Sequence, residues 1–183
     1  MTDANSKLLK TLTMGKGLTM EIHEDCSKSG NDVGHYFMVN RQDDNPDTMT
    51  FSVPPHWHKY HDEIITVHEG RLRITLENKE HIVTADDGGF LIPRWHKHSM
   101  GRFKGEKLVV REETIPGGMF KALFFNDMLA GEKFPGFWHL VRSFYDWDTY
   151  VALPFNIKII DQLFMLVFGG VSKLFVSPSP KTL

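Results

Sequence analysis

Apolar and polar residues alternate in a series of short segments between about residue 17 and residue 114. In the segment 71–78, Leu72, Ile74 and Leu76 recur at every second position, which places them on one face of a β-strand. Turn-forming residues separate such segments, and the sequence predicts strands at 17–24, 35–41, 49–53, 63–70, 71–78, 81–84, 88–93 and 107–114. Regularly spaced short strands are typical of a sandwich or a small barrel, so we predict a mainly β fold with one barrel over 17–118.

The hydrophobic period lengthens after residue 116, from two residues to three or four. This period predicts a helix over 119–129 and a weaker one over 137–147, and a longer apolar stripe follows Pro154. We therefore expect a helical C-terminal extension over 119–176 that buries its stripe against the barrel or a dimer partner. Docking of the stripe on a membrane surface is the alternative.

Composition and charge indicate an ordinary globular protein. The 183 residues carry 23 acidic and 21 basic side chains in mixed order, and no basic block predicts nucleic-acid binding. Cys26 is the only cysteine, which excludes an intramolecular disulfide and a cysteine metal cage. Residues 1–16, an expected N-terminal arm, show no secretory signal, and charges interrupt the apolar stretch 155–176. We expect a cytoplasmic protein without an integral membrane span, ending in a flexible tail at 177–183.

Histidines are concentrated in the middle of the chain, where two separated segments combine them with a carboxylate. His56 and His58 would share one face of a strand, Glu63 follows on the next segment, and His98 comes 35 residues later. Inward side chains from different strands meet inside a small closed barrel. Three imidazoles and one carboxylate suit divalent ions such as iron, zinc, manganese and nickel. The sequence therefore predicts a metal site at these four residues.

The spacing of these residues resembles the first sequence motif of the cupin superfamily. That motif reads His-x-His, three or four residues, Glu, six residues and Gly. His56, His58, Glu63 and Gly70 match it without a gap. By this resemblance the metal ligands are the two histidines and the glutamate of the first motif, together with His98 of the second.

The second cupin motif matches in part, and the resemblance covers roughly residues 49–113. Pro93 and His98 fit the motif, whereas Trp95 stands where the family has glycine and Arg102 where it has asparagine. The resemblance implies a jelly-roll-like barrel and a homodimer that pairs through sheet edges. The whole chain also resembles small single-domain cupins of fungal biosynthetic clusters.

The resemblance further implies an enzyme that acts on a small molecule, which we expect to be aromatic or polyketide-like. Four protein ligands on a six-coordinate ion leave positions for a chelating substrate. Iron(II) is the favoured ion and would support oxidation by dioxygen, whereas zinc, manganese or nickel would act as a Lewis acid in isomerase, cyclase or lyase chemistry. Oxygenase chemistry is favoured over the redox-neutral alternatives. A non-catalytic module that binds a metal or a small ligand is the alternative from another class.

Further candidate residues lie near the motifs. We predict catalytic roles for His61, Tyr60 and Arg111, and substrate contacts for Phe51, Phe90, Arg73 and Trp95. His61 is either an acid–base group or a solvated loop histidine. An inward-facing Arg111 would anchor an acidic substrate, and the alternative is an ion pair with Glu112 or Glu113. The aromatic side chains favour a flat, apolar substrate, and packing in the core is the alternative.

Overall fold

The computed structural model describes residues 4–48, 52–131 and 135–183. Within these ranges the N-terminal two thirds of the chain form strands and the remainder is mostly helical. The strands are β1 (Ser6–Gly15), β2 (Leu18–Asp25), β3 (Tyr36–Gln42), β4 (Ser52–Trp57), β5 (Asp62–Glu69), β6 (Arg71–Leu76), β7 (Lys79–Thr84), β8 (Gly89–Ile92), β9 (His98–Arg102), β10 (Leu108–Ile115) and β11 (Tyr150–Val151). The helices are α1 (Phe120–Leu129), α2 (Phe137–Asp146) and α3 (Lys158–Ser172).

The strands form two sheets. One sheet has six strands in the order β1-β2-β3-β10-β5-β8, and the other has five in the order β11-β4-β9-β6-β7. All pairings between the described strands are antiparallel. The predicted mainly β fold with a helical C-terminal part is confirmed.

Gly70, the last residue of the first motif, turns the chain from β5 in one sheet to β6 in the other. Its φ angle is +79°, and a Cβ at this position would lie 2.0 Å from the carbonyl oxygen of Lys107. A side chain there would be strained by the backbone angle and would also collide with backbone. The motif therefore requires glycine at this crossing for a steric reason.

The interior between the sheets is filled by the apolar side chains that alternate along the strands. On β6, Leu72 and Ile74 are fully buried, whereas Arg71 and Arg73 are exposed. The two apolar side chains pack in one cluster with Leu18, Ile65, Val67, Val83, Ile92, Met100, Leu108 and Val110. A slip of one residue would turn these side chains to solvent, so burial fixes which face of each strand points inward.

The strand β1 differs from the expected N-terminal arm at residues 1–16. It pairs antiparallel with β2 and buries Leu12. Register shifts after Leu8 and Thr13 interrupt the two-residue alternation, so the sequence pattern did not indicate a strand. Because β1 has one neighbour among the described strands, its other edge is open, and the homodimer through a sheet edge stays a prediction.

The helix α1 closes one end of the interior. Its Ala122 is buried against Met20 and Ile22, which lie on the inward face of β2 two and four positions after Leu18. The inner face of α1 is therefore directed at the interior of the fold, where it can contribute side chains to a buried site.

The C-terminal extension is fastened to the barrel by a strand and by a buried carboxylate. The strand β11 pairs with the end of β4. Asp161 of α3 is buried and accepts hydrogen bonds from the Trp57 indole N–H at 2.9 Å and from the Leu153 backbone N–H at 2.9 Å. The end of the chain, expected to be flexible, is also attached, since the Ser179 hydroxyl donates to Asp127 at 3.0 Å. In the described part of the chain, no helix has the length and hydropathy needed to span a bilayer.

Candidate metal centre

The structure brings the four predicted ligands together inside the barrel. His56 is the penultimate residue of β4 and lies beside its register partner His98 on β9. Glu63 lies on β5, and His58 follows β4 directly. One ligand atom from each residue lies within 4.8 Å of the others. The four residues are between 1% and 8% exposed, so the group is shielded from bulk water.

Backbone carbonyl groups fix the orientation of all three imidazole rings. The Nδ1 atom of His56 donates to the Pro54 carbonyl at 2.9 Å, and that of His98 donates to the His96 carbonyl at 3.0 Å. The Nδ1 atom of His58 donates to the Asp148 carbonyl at 2.8 Å. Because a carbonyl oxygen can only accept, Nδ1 carries the proton and Nε2 keeps its lone pair in each ring. This is the tautomer in which a histidine binds a metal through Nε2.

The carboxylate of Glu63 lies between the free nitrogen atoms. The Nε2 atoms of His58 and His98 lie 3.1 and 3.0 Å from its two oxygens. Both nitrogens and Glu63 Oε2 are buried without a hydrogen-bond partner among the described residues. Lone pairs placed so closely repel each other unless a cation lies between them. Two ligands at right angles around an ion, each about 2.1 Å from it, are about 3 Å apart, so the four residues fit a divalent ion.

Burial keeps the imidazoles of His56 and His58 neutral. It lowers the pKa of His58 to about 3, and the nearby Lys121 ammonium acts in the same direction. It also lowers the pKa of His56 well below the ordinary value, with the neighbouring His98 and His58 contributing. Neutral imidazole is the form that binds metals, so these rings need not lose a proton near neutral pH before they bind an ion.

Lys121 of α1 reaches the site and was missed by the sequence analysis. Its ammonium contacts the Glu63 carboxylate and lies 3.3 Å from that of Glu112 on β10. All three side chains are buried. One signal was present in the sequence, since Lys121 is the only charged residue in the apolar run from residue 119 to residue 125. A lone cation on the buried stripe of a helix is expected to have a buried anionic partner.

The three charges shift one another's proton affinities. Burial raises the pKa of Glu112 to about 7, against the opposing effect of the Lys121 ammonium. Burial alone would raise the pKa of Glu63, but the Lys121 ammonium and His58 outweigh it and hold the pKa well below its usual range. Burial alone would lower the pKa of Lys121, yet the two carboxylates raise it. Near neutral pH the centre therefore holds an ionised Glu63, a charged Lys121 and a Glu112 that readily exchanges a proton.

Asp148, between α2 and β11, orients the loop that carries two of the histidines. Its carboxylate accepts the backbone N–H groups of Lys59 at 3.1 Å and Tyr60 at 2.7 Å, and the Nδ1–H of His61 at 2.9 Å. His61 is 2% exposed, so it is not a solvated loop residue. Its ring stacks on that of His58 with centroids 4.1 Å apart, and its Nε2 lies 4.0 Å from Glu63 Oε1. His61, His58 and Asp148 also form a second group of the kind that can hold an ion.

We expect Asp148→Asn to weaken the binding of a divalent ion by about 10- to 100-fold, the usual effect of disturbing groups that orient metal ligands. Asparagine tolerates the φ angle of +60° at this position, so the backbone should be retained. Its amide cannot accept all the hydrogen bonds that the carboxylate accepts. Zinc affinity, measured by competition with a chromophoric chelator, checks this prediction.

Asp62→Asn is the matched control, because the Asp62 carboxylate also accepts a backbone N–H, that of Arg94 at 2.7 Å, but bonds to no histidine. We expect Asp62→Asn to bind zinc as tightly as the unchanged protein. Equal affinities for the two variants would contradict the orienting role of Asp148.

The structure places most of the other predicted site residues away from the four ligands. Tyr60 is exposed. Arg73 is exposed on β6 and pairs with Glu80 at 3.3 Å. Phe90 packs against the barrel core beside His81. Phe51 lies outside the described residues.

Arg111 and Trp95 have structural surroundings. Arg111 lies on the face of β10 opposite Glu112, where it pairs with Glu113 at 3.0 Å and covers the ring of Phe37. Trp95 stacks on the fully buried Trp57 with centroids 4.9 Å apart. Its φ angle is +65°, so the residue that replaces the glycine of the motif keeps the left-handed backbone that favours glycine.

A surface cavity of about 320 Å³ lies elsewhere, beside strands β2, β3, β5 and β10. Arg41, Glu69 and Lys107 are among its lining residues, and none of the four metal-site residues is. The chemistry of the buried group, rather than this cavity, therefore marks the candidate site.

A family model described as "Cupin domain" matches residues 47–111. A comparison with curated proteins found no match. Among solved structures, KdgF from Halomonas sp. is 19% identical with a TM-score of 0.44, over 60% of this chain and 88% of that one. An RmlC-like cupin from Shewanella frigidimarina is 15% identical with a TM-score of 0.42, over 57% and 81%. The Cnp3 cupin domain of Schizosaccharomyces pombe is 13% identical with a TM-score of 0.43, over 63% and 71%. The matched segment, residues 47–111, contains all four candidate ligands.

Proposed function

We propose that the chain is a metal-dependent enzyme that moves a proton at a carbon next to a carbonyl group in a small organic substrate. The observation that carries this proposal is the set of three imidazoles whose Nδ1 atoms are fixed by carbonyls and whose Nε2 atoms converge on Glu63. A divalent ion held there would supply a Lewis acid that polarises the substrate oxygen, and iron, zinc, manganese and nickel all suit these ligands.

His61 has the surroundings of a general base. Asp148 holds the proton on its Nδ1, so Nε2 carries the lone pair, and Nε2 has no hydrogen-bond partner among the described residues. Burial lowers the pKa of His61, although Asp148 opposes the shift, so the ring is neutral and able to accept a proton near neutral pH.

Lys121 has the surroundings of a group that stabilises developing negative charge. Its buried ammonium is kept protonated by two carboxylates, so a fixed positive charge lies beside the candidate ligands. Glu112, with its pKa raised to about 7, can exchange a proton with the substrate or with Lys121 near neutral pH. A neutral base and a buried cation, both beside Glu63, are the kinds of group that enolisation uses, which supports isomerase, cyclase or lyase chemistry.

The aromatic rings near these groups belong to α1. The ring of Phe120 lies 5.1 Å from that of His61, and the Lys121 ammonium lies 5.7 and 5.6 Å from the rings of Phe124 and Phe125. They support a substrate with an apolar or aromatic part beside the chelating oxygens. A small aromatic or polyketide-like ketone or enol meets these requirements.

Oxidation by dioxygen is the second candidate function. Histidine and carboxylate ligands are also the set that iron oxygenases use, with open positions on the ion. We favour proton transfer over oxidation, because three acid–base groups, His61, Lys121 and Glu112, lie around the site.

The test uses protein loaded separately with iron(II), zinc, manganese and nickel. Each form is incubated in D₂O with enolisable ketones, 2-oxo acids and catechols, while proton NMR follows exchange at carbon and an electrode follows oxygen. We expect deuterium to enter next to the carbonyl of at least one substrate without oxygen uptake, and His58→Ala to lose this exchange. His96→Ala is the control, because His96 is exposed and only its backbone carbonyl contacts a ligand.

Oxygen uptake that depends on iron and on His58 would favour the second candidate. Tight metal and substrate binding without exchange or oxygen uptake would instead indicate a binding module and would contradict the enzymatic proposal.

A further inference from the structure

The helix α3 presents its apolar side to the outside of the molecule. Its buried residues are a carboxylate, a methionine and two small residues: Asp161, Met165, Gly169 and Ser172. Gly169 packs against Tyr145 of α2 so closely that a Cβ would lie 2.3 Å from the tyrosine ring. A surface helix of a globular protein usually has the opposite arrangement, with its apolar stripe against the core.

We call the exposed side of this helix and its continuation the outer face of α3. It consists of Ile159, Leu163, Leu166, Val167, Val171, Leu174 and Phe175. These positions recur at three- and four-residue steps, so they form one stripe. Phe168 lies beside the stripe and connects it to Trp138 of α2, whose ring is 6.4 Å away.

The outer face is too large to be an ordinary feature of a soluble surface. Its side chains are between 37% and 78% exposed, although the ring of Trp138 lies against that of Phe175 with centroids 5.4 Å apart. Their exposed area is on the order of 800 Å², above the roughly 300–600 Å² of the largest apolar patch on a typical monomer. A patch of this size is expected to have an occupant.

Charge indicates what the occupant is. Residues 149–183 contain three lysines, Lys158, Lys173 and Lys181, and a single acidic residue, Asp161, which is buried. Lys158 and Lys173 stand at the two ends of α3, with Lys158 3.3 Å from Glu77. A second copy placed on this face would bring lysine ends together and would offer no acid from its own outer face. An anionic surface would complement the lysines at both ends.

We propose that the outer face of α3 docks on the surface of a membrane that contains anionic lipid. Leu, Val, Ile and Phe side chains would enter the boundary between headgroups and acyl chains, while the lysines contact lipid phosphates. At 15 residues α3 is about 22 Å long, shorter than the roughly 30 Å hydrocarbon core, so it lies along the surface.

Docking would place the barrel in a fixed position above the lipid. Asp161 ties α3 to Trp57, and Trp57 stands between His56 and His58 in the chain. This hydrogen bond thus links α3 to the segment that carries two of the candidate ligands. This inference does not depend on the reaction proposed above.

The test is sedimentation of the full chain with sucrose-loaded vesicles of phosphatidylcholine alone or with one quarter phosphatidylserine. We expect binding to the anionic vesicles, at least 10-fold weaker binding to the neutral ones, and a further loss at 0.5 M salt. Leu163→Gln combined with Leu166→Gln should weaken binding to anionic vesicles at least 10-fold. The matched control is Ile82→Gln combined with Leu91→Gln, which changes two exposed apolar residues of β7 and β8 and should bind like the unchanged chain.

Light scattering without vesicles completes the test. Absence of binding to either vesicle, or equal binding by the unchanged chain and the Leu163 and Leu166 double variant, would overturn the proposal. A dimer that becomes monomeric in this double variant would also overturn it, because a second copy would then occupy the outer face.

Discussion

Purified His98→Ala protein is expected to bind a divalent ion on the order of 100-fold more weakly than the unchanged chain. Four-ligand zinc sites bind their ion with about 10–16 kcal/mol, so one ligand of four contributes about 3 kcal/mol. His98 is buried among the other candidate ligands, since its Nε2 lies 3.0 Å from Glu63 Oε2 and its ring 4.2 Å from that of His56. Metal content after purification, and zinc affinity by chelator competition, measure the effect.

His96→Ala is the control for this loss. His96 is exposed, lies two positions from His98, and keeps in the variant the backbone carbonyl that fixes the His98 ring. We expect its metal content and affinity to match those of the unchanged chain. Equal affinity of His98→Ala and the unchanged protein would show that the ion, if any, binds elsewhere. The metal found after purification would also choose between the two proposed chemistries, with iron directing attention to oxygen uptake.

Lys121→Met should destabilise the metal-free protein by roughly 3–5 kcal/mol, the usual result of removing one partner from a buried ion pair. Methionine keeps the length of the side chain but leaves the carboxylates of Glu63 and Glu112 buried without their cation. Protonation of Glu112, whose pKa burial already raises to about 7, will offset part of the loss. Urea unfolding of metal-free protein at pH 7.5 measures the change in the free energy of unfolding.

A divalent ion should restore much of the stability lost in Lys121→Met. The bound ion would supply the positive charge that the variant lacks. In the variant, the Lys121 ammonium would also no longer repel the ion. We therefore expect zinc to raise the unfolding midpoint of the variant more than that of the unchanged chain. Lys107→Met is the control, because Lys107 and Glu69 form an exposed pair at 3.0 Å and its loss should cost about 0–1 kcal/mol.

If zinc stabilised Lys121→Met no more than the unchanged chain, the ion and the ammonium would not share Glu63. If Lys121→Met and Lys107→Met were equally stable without metal, the buried triad of Lys121, Glu63 and Glu112 would not contribute as its burial implies. Either result would require a different description of the centre.

The barrel strands were predictable where alternation is regular. On β6 the pattern identified both the strand and its inward face, and by placing Arg73 between two buried residues it already directed that side chain to solvent. The strands β1, β9 and β11 were not predicted. Register shifts break the pattern in β1. The sequence of β9, HSMGR, contains one apolar side chain, that of Met100, and so shows no alternation. The two residues of β11 form a strand only through pairing with β4.

The site was predictable in part for the same reason. Spacing identified the four candidate ligands, because His56 on β4 and His58 just after it are two residues apart, as on one face of a strand, and Gly70 is sterically required where the chain changes sheets. Spacing carries no information about side chains that arrive from other elements. Lys121 and Asp148 lie 58 and 85 residues after Glu63, and only the packing of the C-terminal extension brings Lys121 to Glu63 and Asp148 to His61.

The sequence by itself determined the mainly β fold, the inward faces of its regular strands and the four residues of the candidate metal centre. These depend on local periodicity and on short spacings, because the backbone geometry of a strand or helix sets the direction in which each side chain points. Only the tertiary structure decided that Lys121, Glu112, His61 and Asp148 surround that centre, and that α3 turns its apolar stripe outward. A helical stripe specifies that a helix has two different sides. Which side of α3 meets the protein is set by residues distant in the chain, because Asp161 bonds to Trp57 and Gly169 packs against Tyr145.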